Sequence, residues 1–305
     1  MLHDARILPA ENLPFLPMKI LAPAKLNLAL NITGRRADGY HLLDSLFVFC
    51  GLEDELTFDA AEDLTLSISG PHAGAIADDP DNLVLRAARL LQDTTGIRHG
   101  ARISLVKHIP VAAGLGGGSA DAAAALGALN RLWNCHLPDR QLHGLASRLG
   151  ADVPACLASQ PVLATGIGDI LTALPPLPDC GVLLVNPRVA TPTAAVFKAF
   201  AKANAVIRPR SLVSLEKPFD DLDALVGALV LRGNDLLQAA IAVTPEIADM
   251  MAELSSVPNV VYASLSGSGA SGFALLRTKA EATEAARRIA QLHPDWWSWS
   301  GRWRQ

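Results

Sequence analysis

The segment Pro110-Val-Ala-Ala-Gly-Leu-Gly-Gly-Gly-Ser-Ala120 places four glycines in five positions, Gly114, Gly116, Gly117 and Gly118, directly ahead of an alanine-rich stretch. Glycine lets backbone N–H groups approach an anion with no Cβ in the way. A helix that follows directs its unsatisfied amides and positive dipole end at the same point. The periodicity predicts that helix over 119–133, where Ala122, Leu126, Leu129 and Trp133 form one buried stripe. Such a junction suits phosphate. The competing reading is a glycine-rich turn that only lets a helix pack closely, but four glycines carry an entropic cost that a simple turn does not require.

Two familiar glycine loops are excluded. A P-loop needs a lysine after its last glycine, and here Ser119 and Ala120 follow. The dinucleotide fingerprint Gly-x-Gly-x-x-Gly breaks at Ser119, and no βαβ unit with an acidic residue about twenty positions on is evident.

A chain of 305 residues, 50% hydrophobic and 18% charged, is long enough for about two domains with ample cores. Its net charge of −4 gives no electrostatic footprint for nucleic acid or an anionic membrane. Cys50, Cys135, Cys156 and Cys180 show no Cys-x-x-Cys spacing, which points away from a zinc site or disulfide framework and towards a reducing compartment. No apolar run has the length of a membrane span, and the first seventeen residues lack the charge pattern of a signal or transit segment, so a cytoplasmic location is expected. Met18 is a second candidate start, which would make those seventeen residues dispensable.

Alternating apolar patterns predict strands over 19–33 and 45–58, with an irregular stretch at 34–40, and a strand over 101–108 leading into the glycine loop. Helices are expected from Asp81 or Asn82 as N-cap through Leu91, and over 139–149 with Gly150 as C-cap. Glycines and prolines interrupt the pattern over 165–178. This divides the chain into an N-terminal unit, residues 1–165, carrying the glycine loop, and a C-terminal unit, residues 166–305. In the second unit helices are expected over 193–204, 222–229, 245–254 and 279–292, and strands over 181–186, 257–265 and 272–276. Four of the five tryptophans fall in the last ten residues, and Trp297 and Trp299 alternate with serines as in a terminal strand packed on one face.

A second cluster, Ser264-Leu-Ser-Gly267-Ser-Gly269-Ala-Ser-Gly272, fits Gly-x-Gly-x-x-Gly but leads into Phe273-Ala-Leu-Leu276, a strand with no helix N-terminus to offer a pyrophosphate. It reads as a strand-to-strand loop lining a cavity. Lys25, in Ala22-Pro-Ala-Lys-Leu-Asn27, sits in an otherwise apolar strand and shares a face with Asn27; a lysine there is costly unless an anion awaits it. The alternative is a snorkelling edge-strand lysine. Asp152 stands between a helix C-cap and Pro154, where N-capping the next short helix is its plainer use. Asp44, Asp121 and Asp169 read as caps or turn residues, and Asn82 as a cap that could also touch a nucleotide.

Three motifs in order, Pro23-Ala-Lys25-Leu-Asn27, Pro110 to Ala120, and Leu265 to Gly272, resemble the three signatures of the GHMP small-molecule kinases. Thr33 to His41, Gly150-Ala-Asp-Val-Pro154, Gly166-Ile-Gly168 and Asn234-Asp-Leu236 resemble local signatures of the branch acting on cytidyl-diphosphate methylerythritol in non-mevalonate isoprenoid synthesis. The resemblance implies an α+β fold of two domains with an active-site cleft between them. It implies ATP and Mg²⁺ as cofactors and phosphorylation of the substrate's 2-hydroxyl. By the same resemblance, Asp152 takes the hydroxyl proton, and Lys25 holds that carboxylate in its charged form and steadies the developing charge. Pro110, Val111, Ala112, Ala113, Gly114, Leu115, Gly116, Gly117, Gly118, Ser119 and Ala120 wrap the triphosphate, with Ser119 near the magnesium. Tyr40, His41 and Phe197 grip the cytosine with Lys107 as a neighbour, Asn27 meets the methylerythritol end, and Gly267, Ser268 and Gly269 line the substrate side. Ala112, Ala113, Asp169 and Leu237 depart from the family pattern. A mevalonate or homoserine kinase of the same superfamily and a non-catalytic nucleotide sensor are the other readings; neither nucleic acid nor membrane is an expected partner.

Overall fold

The computed structural model describes residues 17–76, 79, 81–203 and 218–304. The expectation that the first seventeen residues are dispensable, and the predicted helix end at Asn204, therefore fall wholly or in part outside the described residues.

The first half is organised on a long antiparallel ribbon, β1 (Met18–Arg35) and β2 (His41–Ala61), in register from Met18 opposite Phe58 to Arg35 opposite His41. Irregularities between Pro23 and Lys25 and between Asn27 and Ala29 bracket the segment carrying Lys25 and Asn27, in which Ala24, Leu26 and Leu28 are fully buried. There follow β3 (Leu64–Ser69), α1 (Leu83–Thr95), β4 (Gly100–Val106), α2 (Gly117–Leu132), α3 (Asp139–Leu149), α4 (Val153–Ala158), β5 (Val162–Thr165) and β6 (Ile170–Ala173). The six strands form one sheet in which β2 lies between β4 and β5 and also pairs β1. Helix α1 begins where Asn82 Oδ1 accepts from the N–H of Val84, a cap contributing about 1 kcal/mol. The stripe Ala122, Leu126, Leu129 and Trp133 packs against Phe49, Phe58 and Ile103 of this sheet.

The chain enters a second, antiparallel sheet with β7 (Gly181–Asn186), continues through α5 (Thr193–Lys202), α6 (Leu222–Arg232), α7 (Leu237–Val243) and α8 (Glu246–Ser256), and returns as β8 (Val260–Leu265) and β9 (Gly272–Leu276). Helix α9 (Lys279–Leu292), opened by a Thr278–Glu281 capping box, leads to β10 (Trp297–Gly301), giving the order β10-β7-β9-β8. One face of this sheet, Val182, Leu184, Phe273 and Leu275, shares a core with Leu26, Leu28 and Val48 of the ribbon. The other, Leu183, Val185, Ala274 and Leu276, is covered by helices. Trp297 and Trp299 pack on the shared core, as the serine alternation predicts.

The open edge of β1 positions the site. Lys25 N–H donates to Leu115 C=O (2.8 Å), Leu30 N–H to Gly233 C=O (3.0 Å), and Asp235 N–H to Leu30 C=O (2.8 Å). Segments far apart in sequence are thereby brought onto one strand. Among the described residues no helix is long and apolar enough to cross a membrane.

Candidate active site

The glycine loop ends in α2 with Gly116 as N-cap at φ 65°, a left-handed conformation that suits glycine, and no side chain caps the helix. Its first turn carries no acidic residue, so the amides of Gly117, Gly118 and Ser119 face outward without an internal anion to satisfy them. A cavity of about 300 Å³ opens there, lined by residues 110–119 together with Asn82, Lys107 and Asp121. Asn82 thus both caps α1 and reaches this cavity. Ala120 does not line it; that side chain is turned into the core beneath α2.

Across the loop lies a larger cavity of about 950 Å³. Gly114, Gly116 and Ser119 line both spaces, so one stretch of backbone is their common wall. Lys25, Asn27, Tyr40, His41, Asp152, Phe197, Gly267 and Ser268 line the second cavity. Lys25 is only 4% exposed, which excludes a snorkelling side chain. Its ammonium donates to Asn27 Oδ1 (2.8 Å), pairs with Asp152 Oδ2 (3.2 Å) and lies 4.3 Å from the centroid of the Phe47 ring. Asp152 occupies the N-cap position of α4, but its side chain makes no capping hydrogen bond and turns to Lys25 instead. A buried cation, a half-exposed carboxylate and an amide-lined helix start therefore meet around one space, an arrangement able to hold a phosphoryl group and accept a proton beside it.

The two glycine loops touch. Ser271 N–H donates to Ala113 C=O (3.2 Å), and Ser266 Oγ donates to Gly114 C=O (3.1 Å) while accepting from Asn27 N–H (3.2 Å). A Cβ on Gly114 would stand 2.5 Å from Gly269 C=O, so Gly269 packs on the first loop and does not line the larger cavity. Ser268 Oγ hydrogen-bonds Thr193 Oγ1 (2.9 Å) at the start of α5, and Asn234 Nδ2 ties down the C=O groups of Leu265 and Gly267 (2.8 Å each).

At the far end of this cavity His41 stacks on Phe197, with centroids 5.3 Å apart and planes 28° apart, and meets Phe200 edge-on. Burial, with Arg35 adding to it, lowers the His41 pKa from its ordinary value. Tyr40 beside it is 62% exposed. Lys107 is not part of this group. Strand β4 delivers it on the opposite side of the loop, where its ammonium is held between Asp54 Oδ2 (2.5 Å) and Asp121 Oδ2 (2.6 Å). Burial in this cluster pushes the Asp121 carboxyl up to about 7, with the Lys107 ammonium opposing and Asp54 adding to the rise.

Asp121 and Asp44 are therefore neither caps nor turn residues; Asp44 forms a buried ion pair with Arg232. Asp169 is a turn residue, accepting from Ile167 N–H (3.0 Å). Sequence reasoning missed Ser45, Phe47, Asp54, Thr193 and Ser266. Only Ser266 lay inside a motif already singled out, and the others become visible only through strand register and helix docking.

Family models of the GHMP kinases N terminal domain and the GHMP kinases C terminal match residues 82–160 and 220–295. Over 91% of its length, and 95% of the relative's, the chain is 46% identical to a 4-diphosphocytidyl-2-C-methyl-D-erythritol kinase of Paramagnetospirillum magneticum (strain ATCC 700264 / AMB-1). The chain belongs to the GHMP kinases. Identity reaches 50% with the protein of the same name from Paracoccus denitrificans (strain Pd 1222), covering 90% of this GHMP kinase and 93% of the relative. A crystal structure of 4-(cytidine 5'-diphospho)-2C-methyl-D-erythritol kinase superposes with a TM-score of 0.76 at 32% identity, covering 94% of this chain and all of that one. The L. major mevalonate kinase, solved with R-mevalonate, matches at TM-score 0.70 with 15% identity over 93% of this chain and 95% of that one, a likeness of fold alone.

Proposed function

We propose that this GHMP kinase transfers the γ-phosphoryl group of ATP to the 2-hydroxyl of 4-diphosphocytidyl-2-C-methyl-D-erythritol, within non-mevalonate isoprenoid synthesis. One observation carries the chemistry: the glycine loop is the shared wall of two cavities, and the Lys25–Asp152 pair stands on the second cavity's side of that wall. ATP occupies the smaller cavity with its triphosphate along the loop amides. The acceptor alcohol occupies the larger one, with its hydroxyl at Asp152.

Asp152 takes the hydroxyl proton as the oxygen attacks, and the Lys25 ammonium balances the charge that develops on the transferring group. The amides of Gly117, Gly118 and Ser119 are already aimed at that charge and need no rearrangement. The Ser119 hydroxyl, at the junction of the two cavities, would help hold a magnesium ion, which when bound would supply further neutralisation of phosphate charge. Asn27 holds the alcohol end of the acceptor. Tyr40, His41 and Phe197 supply aromatic faces and a ring nitrogen for a planar base at the other end.

Incubation of the purified protein with ATP, Mg²⁺ and, separately, the cytidyl-diphosphate alcohol, mevalonate and homoserine tests the proposal. Phosphorylation confined to the cytidyl compound is expected, whereas turnover of mevalonate or homoserine without it overturns the assignment.

A further inference from the structure

Ser45, on β2, is fully buried, touches neither cavity, and hydrogen-bonds in two directions. Its Oγ lies 2.6 Å from Ala29 C=O and 2.9 Å from Asn27 Nδ2. A hydroxyl has one proton and a carbonyl can only accept, so the proton goes to Ala29. Ser45 Oγ is then left as an acceptor, and the only donor that Asn27 can present to it is its amide NH₂. Asn27 Oδ1 must therefore face the other way, towards Lys25 Nζ at 2.8 Å. An ammonium only donates, so the reverse amide orientation would set NH₂ against NH₃⁺ and remove one of the ammonium's two oxygen partners.

The irregularity of β1 between Asn27 and Ala29 makes this possible. It shifts the register so that Asn27 faces Phe47 while Leu30 faces Ser45, and the Ala29 carbonyl takes a side-chain hydroxyl as its donor. Phe47, two residues along the same strand, presents its ring to the same ammonium.

We infer that Ser45 is a positioning residue of the phosphoryl-transfer site: through Ala29 and Asn27 it fixes which way the Asn27 amide points, and so where the Lys25 ammonium stands relative to Asp152. The inference rests on the kinase reading above.

A double-mutant cycle with the cytidyl-diphosphate alcohol and ATP, referred to the fraction of protein that binds nucleotide, tests it. Ser45→Ala is expected to lower kcat about tenfold, the size expected for loss of one buried hydrogen bond that orients a charged group, with KM for ATP within twofold of wild type. Ser45→Thr keeps the hydroxyl and is expected to stay within threefold of the wild-type kcat. In an Asn27→Ala background, Ser45→Ala should cost less than twofold, because the group it orients is gone. Ser45→Cys, nearly isosteric but a weak hydrogen-bonding partner, replaces the alanine in the same cycle if Ser45→Ala does not fold. A wild-type kcat in Ser45→Ala, a threonine variant as slow as the alanine one, or a full second loss in the Asn27→Ala background overturns the inference. Wild-type protein that phosphorylates none of the alcohols overturns the kinase reading instead, so the two failures are distinguishable.

Discussion

Gly116 lies against the stem of Lys25: a Cβ at position 116 would stand 3.1 Å from Lys25 Cβ and 3.3 Å from Cε. The residue at the N-cap of α2 is thus also a wall of the channel holding the buried ammonium. Gly116→Ala introduces strain at φ 65°, about 1 kcal/mol, and pushes on a side chain whose head is already fixed by Asn27 and Asp152. The expected result is a loss of at least tenfold in kcat/KM with a modest fall in Tm, measured by steady-state kinetics and thermal denaturation.

Asp152→Asn keeps the shape of the side chain but removes its ability to accept a proton. Nucleotide affinity, measured by calorimetry, is expected to change little, because Asp152 does not line the smaller cavity. The rate of phosphoryl transfer is expected to fall by 10² or more. An unimpaired single-turnover rate removes Asp152 from the proton transfer.

His41 should make acceptor binding depend on pH. Its pKa is lowered by burial and by Arg35, so the imidazole is neutral at pH 7, with one nitrogen free to accept a hydrogen bond. Protonation, which sets in only below the ordinary histidine value of 6.5, removes that acceptor. KM for the cytidyl compound should therefore rise as pH falls below that value while KM for ATP does not. His41→Asn should flatten the dependence.

Asp121 predicts a pH-dependent stability in the nucleotide-free protein. Its folded pKa, about 7, lies above the ordinary 3.8, so between these values the unfolded chain loses the proton and the folded chain retains it. Stability from this group is full below pH 3.8 and declines as pH rises towards 7. Asp121→Asn, which mimics the protonated form, should match wild type at low pH. It should become the more stable of the two by urea denaturation across that window, with a constant gap above it.

What could be read from the sequence follows the range of the interactions involved. Helices α3 and α9 and strand β9 have the predicted bounds, because their limits are set locally by Gly150, by the Thr278–Glu281 box and by the glycine loop before Gly272. Strand β4 stops at Val106 rather than 108, because Asp54 Oδ1 accepts from the N–H groups of His108 and Ile109 and withdraws them from the ladder. Asp54 arrives there through β2–β4 register, which no local pattern announces. Lys25 and Asn27 were legible because a polar pair in an apolar strand is costly and demands a reason. Ser45 and Phe47 were not, since a serine and a phenylalanine in a strand need none. Lys107 was misplaced for the complementary reason: its neighbours in sequence say nothing of which side of the glycine loop β4 delivers it to.

The edge of β1 holds the loop at Lys25, Ser266 at Asn27, and the Gly233–Asp235 segment at Leu30. A strand engaged in this way cannot act as a hinge, since parting there would break backbone pairing on which the walls of both cavities depend. That leaves the exposed rims as the way in, past Asp81 and Val111 on one side and past Tyr40 and the start of α5 on the other, while the seam between them stays shut.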